Sequence, residues 1–498
     1  MTEEVSATLG NRIRRGVLWK GASQIFLQVS RVVVMVVLAR LLSPHDFGLA
    51  AMVLVFGTLA LIFSDLALGA ALVQRRELSE RDRSTVFWLS VGVGAAFTAA
   101  GVAVSGLIAG FYGEPEVQPL FAVLALTFVV TALGSTQKAL LTRELDFRSL
   151  ELRLMLSTLL GGAFAIVAAA RGFGAWALVL QQVVIAVSST ILLWVASPWR
   201  PRLVFSSTAL RRLVGFSANV FGTRLLFYTS KNADNILVGR FLGAASLGAY
   251  SIAYNLMLAP IERIAGPVQD VLFPAFSRMQ DDVRAVAELW LRANRMIAAF
   301  SVPALLGFAL VAPEFVSVVL GTKWNAAVPV IQILACVGVL QSVQRLNSSV
   351  LQARDRTGTL FRFSIVAAVA NVIAFAVGLR WGIVGVAACY AVSNALLQPL
   401  YMHLAARTVG LSLLSSVRNL AGVGQAAALM AGVVLSARLI LSDAGIASPV
   451  RLTVLVVAGG AAYVLACAWR APGVVADLKA LRVKRPSVPE PVPRPVRP

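Results

Sequence analysis

The strongest constraint on the fold of this chain is a succession of long apolar stretches that are joined by short polar connections. Each stretch has at least the roughly 20 residues that an α-helix needs to cross the hydrocarbon core of a bilayer. Numbered 1 to 14 in chain order, the stretches fall at about 16–41, 47–73, 84–111, 118–140, 150–170, 173–197, 216–241, 247–275, 294–318, 325–350, 359–379, 382–405, 417–441 and 449–470. The sequence therefore predicts an all-α integral membrane protein with fourteen transmembrane helices.

Composition excludes a soluble protein. Hydrophobic residues make up 58% of the 498 residues, charged residues make up 13%, and the mean hydropathy is +0.81. Soluble domains have about 45–50% apolar and about 25% charged residues. Their interior is too small to bury so much apolar surface, so the excess must face lipid. The net charge of +21 does not predict a nucleic-acid partner, because the arginines lie between apolar stretches and not in a separate basic domain.

The distribution of arginine predicts the orientation of the chain. The N-terminal segment and the connections after helices 2, 4, 6, 8, 10 and 12 are rich in arginine, whereas the alternate connections are nearly bare. Cytoplasmic connections carry the excess of Lys and Arg in membrane proteins. We therefore expect a multi-pass protein of the bacterial inner membrane with both termini in the cytoplasm, as an even number of helices requires. The polar N-terminus shows no cleavage signal, so we expect helix 1 to be retained.

An internal repeat predicts the architecture. The stretch VLARLLSPHDFGLA (Val37 to Ala50) aligns with LVGRFLGAASLGAY (Leu237 to Tyr250) at an offset of 200 residues. LLTRELDFR (Leu140 to Arg148) lies over VLQARDRTG (Val350 to Gly358), where Arg143 aligns with Arg354 at an offset of 211. Helices 1–6 thus correspond to helices 7–12, and both halves start on the cytoplasmic side. Parallel repeats are typical of transporters in which two bundles flank a central cleft.

The repeat also predicts the domain boundaries. We expect two parallel six-helix bundles at 1–205 and 206–410, followed by two additional transmembrane helices at 411–472. The segment 473–498 ends in KRPSVPEPVPRPVRP, which favours extended polyproline II. We expect this segment to be a disordered cytoplasmic tail, with a partner-binding motif as the alternative.

Polar residues inside the predicted helices indicate a hydrated cavity, because a charge at the bilayer centre costs about 2.5–3.5 kcal/mol. Helix 1 carries Lys20, Gln24, Gln28 and Arg31 at spacings that place them on one helical face. The offset of 200 aligns Arg31 with Lys231. The candidate cargo-binding residues are Lys20, Gln24, Gln28, Arg31, Arg224, Lys231, Asn235, Asn255 and Arg345, and the candidate ion-coupling acids are Asp65, Asp234 and Glu262.

Structural alternatives exist for several of these residues. Lys231 and Asp234 could form a local ion pair, and Glu262 could pair with Arg263 or Arg224. Lys20, Lys138 and Arg345 are close enough to the cytoplasmic ends of their helices to snorkel. We interpret Arg40 and Arg240, at the outer interface, as structural.

The excess of cations among the candidate residues favours an anionic cargo. Guanidinium and ammonium groups suit phosphate oxygens, and the many amide and hydroxyl groups suit sugars. The inferred cargo is a phosphate-bearing glycan on a lipid carrier.

Motifs for catalysis and metal binding are missing from the sequence. There is no Walker A sequence, the two histidines have no metal-ligand neighbour, and the three cysteines are widely spaced. We predict no catalytic residue, no metal site and no cofactor.

The segment LARLLSPHDFGLAAMVLVFGTLALIFSDLALGAALVQRRELSERDRSTVFWL (Leu38 to Leu89) resembles the N-terminal signature of polysaccharide flippases. It is similar to the branch of colanic acid and teichuronic acid exporters in the multidrug/oligosaccharidyl-lipid/polysaccharide (MOP) superfamily. This resemblance implies a secondary-type flippase that moves undecaprenyl-pyrophosphate-linked oligosaccharide to the outer leaflet for surface polysaccharide export, coupled to an ion gradient or the membrane potential. The implied partners are that lipid-linked oligosaccharide, membrane lipids and other polysaccharide assembly proteins.

Two alternative functions remain open on the sequence. A drug exporter of the same superfamily would share the fold, but organic cations do not suit a cation-rich cavity. An integral-membrane glycan polymerase or ligase should have a long extracytoplasmic loop, and every connection in this chain is short.

Overall fold

The structure, a computed structural model, describes residues 2–64, 72, 78–204 and 232–483. It describes the backbone alone for 2–18, 20, 22, 59–64, 259–264, 267 and 480–483. All regular secondary structure in these described ranges is helical.

The first half of the chain forms six long helices in the ranges that the structure describes. They are α1 (Thr2–Leu41), α2 (Pro44–Ser64), α3 (Glu80–Tyr112), α4 (Val117–Arg143), α5 (Phe147–Ala170) and α6 (Trp176–Ala196).

The second half begins with a long helical segment, Ala233–Arg278, that is broken at Gly243. Gly243 has φ 81° and ψ 175°, a conformation that side chains rarely permit, so the segment is two helices, α7 (233–242) and α8 (244–278). A π-helical turn (Val316–Leu320) and a 3-10 turn (Thr322–Trp324) follow α9, and a short helix (Asn347–Ala353) follows α10. The remaining helices are α9 (Val283–Phe315), α10 (Ala327–Val343), α11 (Thr357–Gly378), α12 (Gly382–Thr408), α13 (Leu413–Asp443), α14 (Ser448–Arg470) and α15 (Pro472–Val483).

The fourteen-helix prediction is confirmed, since each predicted stretch overlaps one of the helices α1 to α14. Eleven helical stretches among the described residues are long and apolar enough to cross a membrane, and one of them, Thr357–Thr408, contains both α11 and α12.

Short polar residues fix where several helices begin. Ser79 and Asp82 form a reciprocal capping box at the start of α3, in which each side chain accepts from the other residue's backbone N–H. Ser43 and Asp46 make the same pair of bonds at the start of α2, at 2.8 and 3.2 Å. These caps satisfy backbone donors that the first helical turn leaves unpaired.

Small residues allow close approach between the helices of the first half. Gly162 of α5 faces Val34 of α1, and Gly94 of α3 faces Ala132 and the carbonyl of Phe128 in α4. Membrane helices associate largely by van der Waals packing, which small residues improve.

The chain packs as two compact units. The first unit contains Met1–Ile252, Val319–Ala327 and Val372–Val386, and the second contains Ala253–Val318, Val328–Asn371 and Ala387–Pro498. These units reflect which residues pack together. The boundaries expected at 205 and 410 come from the internal repeat of the sequence, so those boundaries stay a prediction.

Buried ion pairs join the last helices to α9 within the second unit. Glu314 of α9 is 4% exposed and contacts Arg438 of α13 at 3.0 Å and Arg451 of α14 at 3.8 Å. These contacts hold α13 and α14 against α9.

The helix α15 differs from the expectation of a disordered tail at 473–498. Its Asp477 is 7% exposed and contacts Arg292 and Arg295 of α9 at 2.7 and 2.6 Å. Arg295 also donates to Asn419 of α13 at 3.0 Å. The expectation is therefore wrong for 473–483, because a buried carboxylate docks this segment, and 484–498 lie outside the described residues.

Candidate functional site

The polar residues of α1 form one stripe along the helix. At 3.6 residues per turn, Lys20, Gln24, Gln28 and Arg31 fall within an arc of about 80°. Gln24 and Arg31 are exposed and Gln28 is half-buried, whereas the side chain of Lys20 lies outside the described part of the chain. The predicted alignment of these residues on one face of α1 agrees with the helix that the structure shows.

The apolar exposed face of α1 is a different one. Ile25, Val29 and Val33 are 70%, 59% and 53% exposed and lie on average roughly 140° around the helix from the polar stripe. Leu27 and Leu38 lie within about 20° of Lys20 around the helix, and both are buried, so one edge of the polar stripe packs against the rest of the protein. Because the apolar stripe is the one suited to lipid, the exposed polar stripe is suited to a hydrated surface.

A polar cluster that the sequence analysis did not single out lies beside the start of the α1 stripe. The hydroxyl of Ser23 donates to the Glu151 carboxylate of α5. Arg153, two residues further on, has a buried Nε without a hydrogen-bond partner among the described residues. The charged triplet Glu-Leu-Arg near the start of α5 is a signal for this cluster that the sequence contains.

Asp234 and Asn235 lie at the start of the described part of α7. Asp234 is 1% exposed, and its carboxylate accepts from the backbone N–H of Asn235 at 2.8 Å and from the Tyr250 hydroxyl of α8 at 3.2 Å. The side-chain oxygen of Asn235 is buried without a hydrogen-bond partner in the described part of the chain. This site joins α7 to α8 through a buried carboxylate.

Arg345 belongs to a polar network in the second unit. Its Nε donates to Gln269 of α8 at 2.9 Å, and Gln269 donates to Ser348 at 3.3 Å. Arg345 remains exposed, and so is Asn255 of α8. Gln269 therefore holds the Nε of the Arg345 guanidinium in place, while the side chain as a whole stays exposed.

A second network of this unit was missed by the sequence analysis. Gln341 of α10 donates to the Tyr390 hydroxyl at 2.8 Å and to the Asn394 side chain of α12 at 3.2 Å. Gln398 donates to Asn394 at 3.1 Å. The four-residue spacing of Tyr390, Asn394 and Gln398 places them on one face of α12, which is a signal that the sequence contains.

Several candidate residues cannot be placed. Asp65, Arg224 and Lys231 lie outside the described residues, as do the side chains of Lys20 and Glu262. The proposed correspondence of Arg31 with Lys231 thus stays a prediction. In the described ranges, no group of three or more His, Cys, Asp or Glu residues could hold a metal ion.

Comparison with known proteins identifies the family. A family model described as "Polysaccharide biosynthesis protein" matches residues 37–329. This chain belongs to that family. The chain is 32% identical to the lipopolysaccharide biosynthesis protein WzxC of Escherichia coli (strain K12), over 70% of this chain and 72% of WzxC. It is 30% identical to the teichuronic acid biosynthesis protein TuaB of Bacillus subtilis (strain 168), over 71% of this chain and 74% of TuaB.

Solved structures identify the fold of this polysaccharide biosynthesis protein. The lipid II flippase MurJ in an inward closed conformation aligns with a TM-score of 0.74 at 14% identity, over 92% of this chain and all of MurJ. An inward-facing multidrug resistance MATE transporter of the MOP superfamily aligns with a TM-score of 0.62 at 14% identity, over 80% of this chain and 95% of that one. The resemblance to the polysaccharide flippase family is confirmed, and the protein is a transporter rather than an enzyme.

Proposed function

We propose that this protein flips lipid-linked, pyrophosphate-bearing oligosaccharide units across the bacterial inner membrane by alternating access, for export of a surface polysaccharide. Its relatives support this proposal by their names, which include the succinoglycan biosynthesis transport protein ExoT of Rhizobium meliloti (strain 1021), 29% identical over 76% of each chain. The fold, shared with a lipid II flippase, is compatible with such a cargo.

The observation that carries the proposal is the separation of the two exposed stripes on α1. Arg31 and Gln24 are exposed on a face of the helix that the apolar stripe of Ile25 and Val29 does not share. A guanidinium exposed at this depth needs water or an anion, since its transfer into lipid is costly. Arginine binds phosphate oxygens bidentately, which suits the pyrophosphate of a lipid carrier.

The second unit also contains an arginine that can bind an anion. The edge of Arg345 that does not face Gln269 is free to bind an anion. Tyr390 and Asn394 are buried and accept hydrogen bonds from Gln341, so they hold α12 against α10. We propose that Lys20, Gln28, Arg224, Lys231, Asn235 and Asn255 contribute to the same recognition. We also propose that Asp65, Asp234 or Glu262 couples transport to an ion.

The alternative within the fold is export of organic cations, as the MATE likeness suggests. Family membership and the exposed arginine favour the anionic glycan. Other polysaccharide assembly proteins are proposed partners, because a flipped unit must be passed to the machinery that polymerises or attaches it.

A double substitution tests the proposal. In a strain that lacks the chromosomal gene, Arg31→Ala with Lys231→Ala should reduce the externally accessible lipid-linked glycan at least tenfold, while the amount of protein in the membrane stays unchanged. Accessibility is measured by periodate oxidation of the glycan in spheroplasts and capture with a membrane-impermeant hydrazide.

The control is Arg418→Ala, which removes an exposed arginine of α13 outside the predicted repeats and should leave translocation unchanged. Normal accessibility in the double variant would remove the site assignment. If gene deletion itself strands the glycan on the outer surface, the flippase proposal fails and a polymerase or ligase takes its place.

A further inference from the structure

The two segments that first revealed the internal repeat contact one another in the structure. Gly48 of α2 and Gly248 of α8 occupy equivalent positions, and so do Pro44 and Ala244, at the offset of 200. A Cβ atom on Gly48 would overlap the backbone carbonyl of Ala244, and a Cβ atom on Gly248 would overlap that of Pro44. Each glycine thus packs on the residue that lies four positions before the other glycine. The contact therefore has approximate twofold symmetry.

A set of polar contacts surrounds this glycine pair on one side. Arg40, at the end of α1, donates from Nε to the carbonyl of Val319 at 2.8 Å. Lys323 donates to the carbonyl of Arg40 at 2.8 Å, and the Trp324 indole donates to that of Ala39 at 2.8 Å. The end of the first helix thus binds the turns that follow the ninth helix.

The equivalent contact occurs on the other side. The guanidinium of Arg240, at the end of α7, lies 5.5 Å from the ring centroid of Phe111 at the end of α3. A Cβ atom on Gly239 would lie 2.8 Å from the Tyr112 ring. Since Arg40 is equivalent to Arg240 and Ala39 to Gly239, the first helix of each half contacts the end of the third helix of the other half.

The strength of these contacts suits a reversible closure. Arg40, Lys323 and Arg240 are exposed, and a hydrogen bond to a backbone carbonyl contributes only about 0.5–1.5 kcal/mol net. The glycine pair adds van der Waals packing that depends on close approach of two backbones. Such a contact is specific in geometry and can be broken without unfolding either half.

We propose that these residues form a twofold symmetric latch, which closes the extracytoplasmic end of the transporter and must open before the cargo can leave. The latch comprises the Gly48–Gly248 contact and two flanking contacts, called its rims. One rim is the contact of Arg40 with the turns at 319–324, and the other is the contact of Arg240 with Phe111. This inference rests on the proposed function, because it assigns the latch a place in the transport cycle.

Reversible crosslinking tests whether the latch has to open. Arg40→Cys with Lys323→Cys is made in a variant whose Cys336, Cys389 and Cys467 are replaced by alanine; the glycine pair and the Trp324 bond remain. A short bifunctional methanethiosulfonate reagent should join the two cysteines and reduce flipping at least tenfold in proteoliposomes that contain undecaprenyl-pyrophosphate oligosaccharide. Reduction with dithiothreitol should restore flipping.

The matched control lies within one half. The side chains of His45 and Glu114 are also at the ends of α2 and α3 on this side, 3.7 Å apart. Crosslinking His45→Cys with Glu114→Cys should leave flipping unchanged, since both residues move together. Full flipping by the crosslinked 40–323 pair would overturn the latch.

A second measurement does not depend on cargo. Gly48→Ala or Gly248→Ala should lower the yield of the 40–323 crosslink severalfold, because the added methyl separates the backbones. Gly110→Ala, near the end of α3 with nothing within 4 Å of its would-be Cβ, should not change the yield. If a glycine variant fails to insert, Arg240→Ala takes its place and should lower the yield by weakening the opposite rim.

These two measurements separate the possible failures. Lack of flipping by the cysteine-free protein that keeps Arg40 and Lys323 contradicts the proposed function and leaves the yields to decide the latch. Yields that do not respond to Gly48→Ala, Gly248→Ala or Arg240→Ala contradict the latch and leave the function intact.

Discussion

At the scale of single residues, the polar groups of this protein have different environments. Arg31 is exposed, whereas Asp234 and Glu314 are almost completely buried and bonded. Exposure suits a group that binds a transient cargo, and burial suits one that holds helices together or exchanges a proton with a neighbour.

The buried Asp234 carboxylate is expected to affect the pH dependence of transport. We propose it as an ion-coupling residue, so Asp234→Asn should flatten the dependence of flipping rate on pH. Tyr250→Phe removes only the hydroxyl that donates to this carboxylate and should keep a pH dependence. The flipping rate in proteoliposomes across a range of pH measures both. A profile unchanged by Asp234→Asn would give this acid a structural role.

The buried Glu314 carboxylate is expected to stabilise the second unit. Glu314→Gln leaves Arg438 and Arg451 without their anion, and breaking a buried ion pair on one side costs about 3–5 kcal/mol. The thermal midpoint of the purified protein in detergent should therefore fall by several degrees. Glu116→Gln changes an exposed carboxylate and should leave the midpoint unchanged; an equal midpoint for both variants would contradict this role.

At the scale of elements, caps and small residues explain the helix boundaries and contacts better than apolar periodicity does. The hydrogen bonds between Ser43 and Asp46 fix the start of α2 at Pro44. Gly243 separates α7 from α8, and the predicted offset of 200 aligns Gly243 with Ser43. If the predicted offset of 200 holds, the two corresponding bends are made by different chemistry.

The docking of α15 should depend on one carboxylate. Asp477→Asn weakens the contacts to Arg292 and Arg295, so amide hydrogen exchange in Pro472–Val483 should become at least tenfold faster. Asp443→Asn, at the exposed end of α13, is the matched control. Unchanged exchange in the Asp477 variant would show that apolar contacts alone hold this helix.

At the scale of the whole molecule, the orientation predicted from arginine can be measured directly. In the cysteine-free variant, Thr322→Cys should react with a membrane-impermeant maleimide in intact spheroplasts, whereas Asp281→Cys should react only after permeabilisation. Both positions are exposed and lie in connections predicted to be on opposite sides. The reverse pattern of labelling would place the termini outside the cytoplasm.

Much of the fold was predictable because lipid imposes simple rules. A helix that crosses a bilayer must be apolar over about 20 residues, so the fourteen stretches could be read directly. The polar stripe on α1 was predictable from spacing alone. The Gln341–Tyr390–Asn394 network was not found, because amides and hydroxyls are common in helices and only contact between α10 and α12 distinguishes these ones.

The number and approximate limits of the membrane helices and the resemblance to the family follow from the amino-acid sequence alone, and the correspondence between the two halves stays a prediction from that sequence. The packing of the helices, in contrast, was needed to show that Gly48 contacts Gly248, that Arg40 donates to Val319, and that Asp477 docks α15 on α9. The reason is physical: transfer into lipid depends on the local composition of each segment, whereas these contacts join residues far apart in the chain and depend on how whole helices pack.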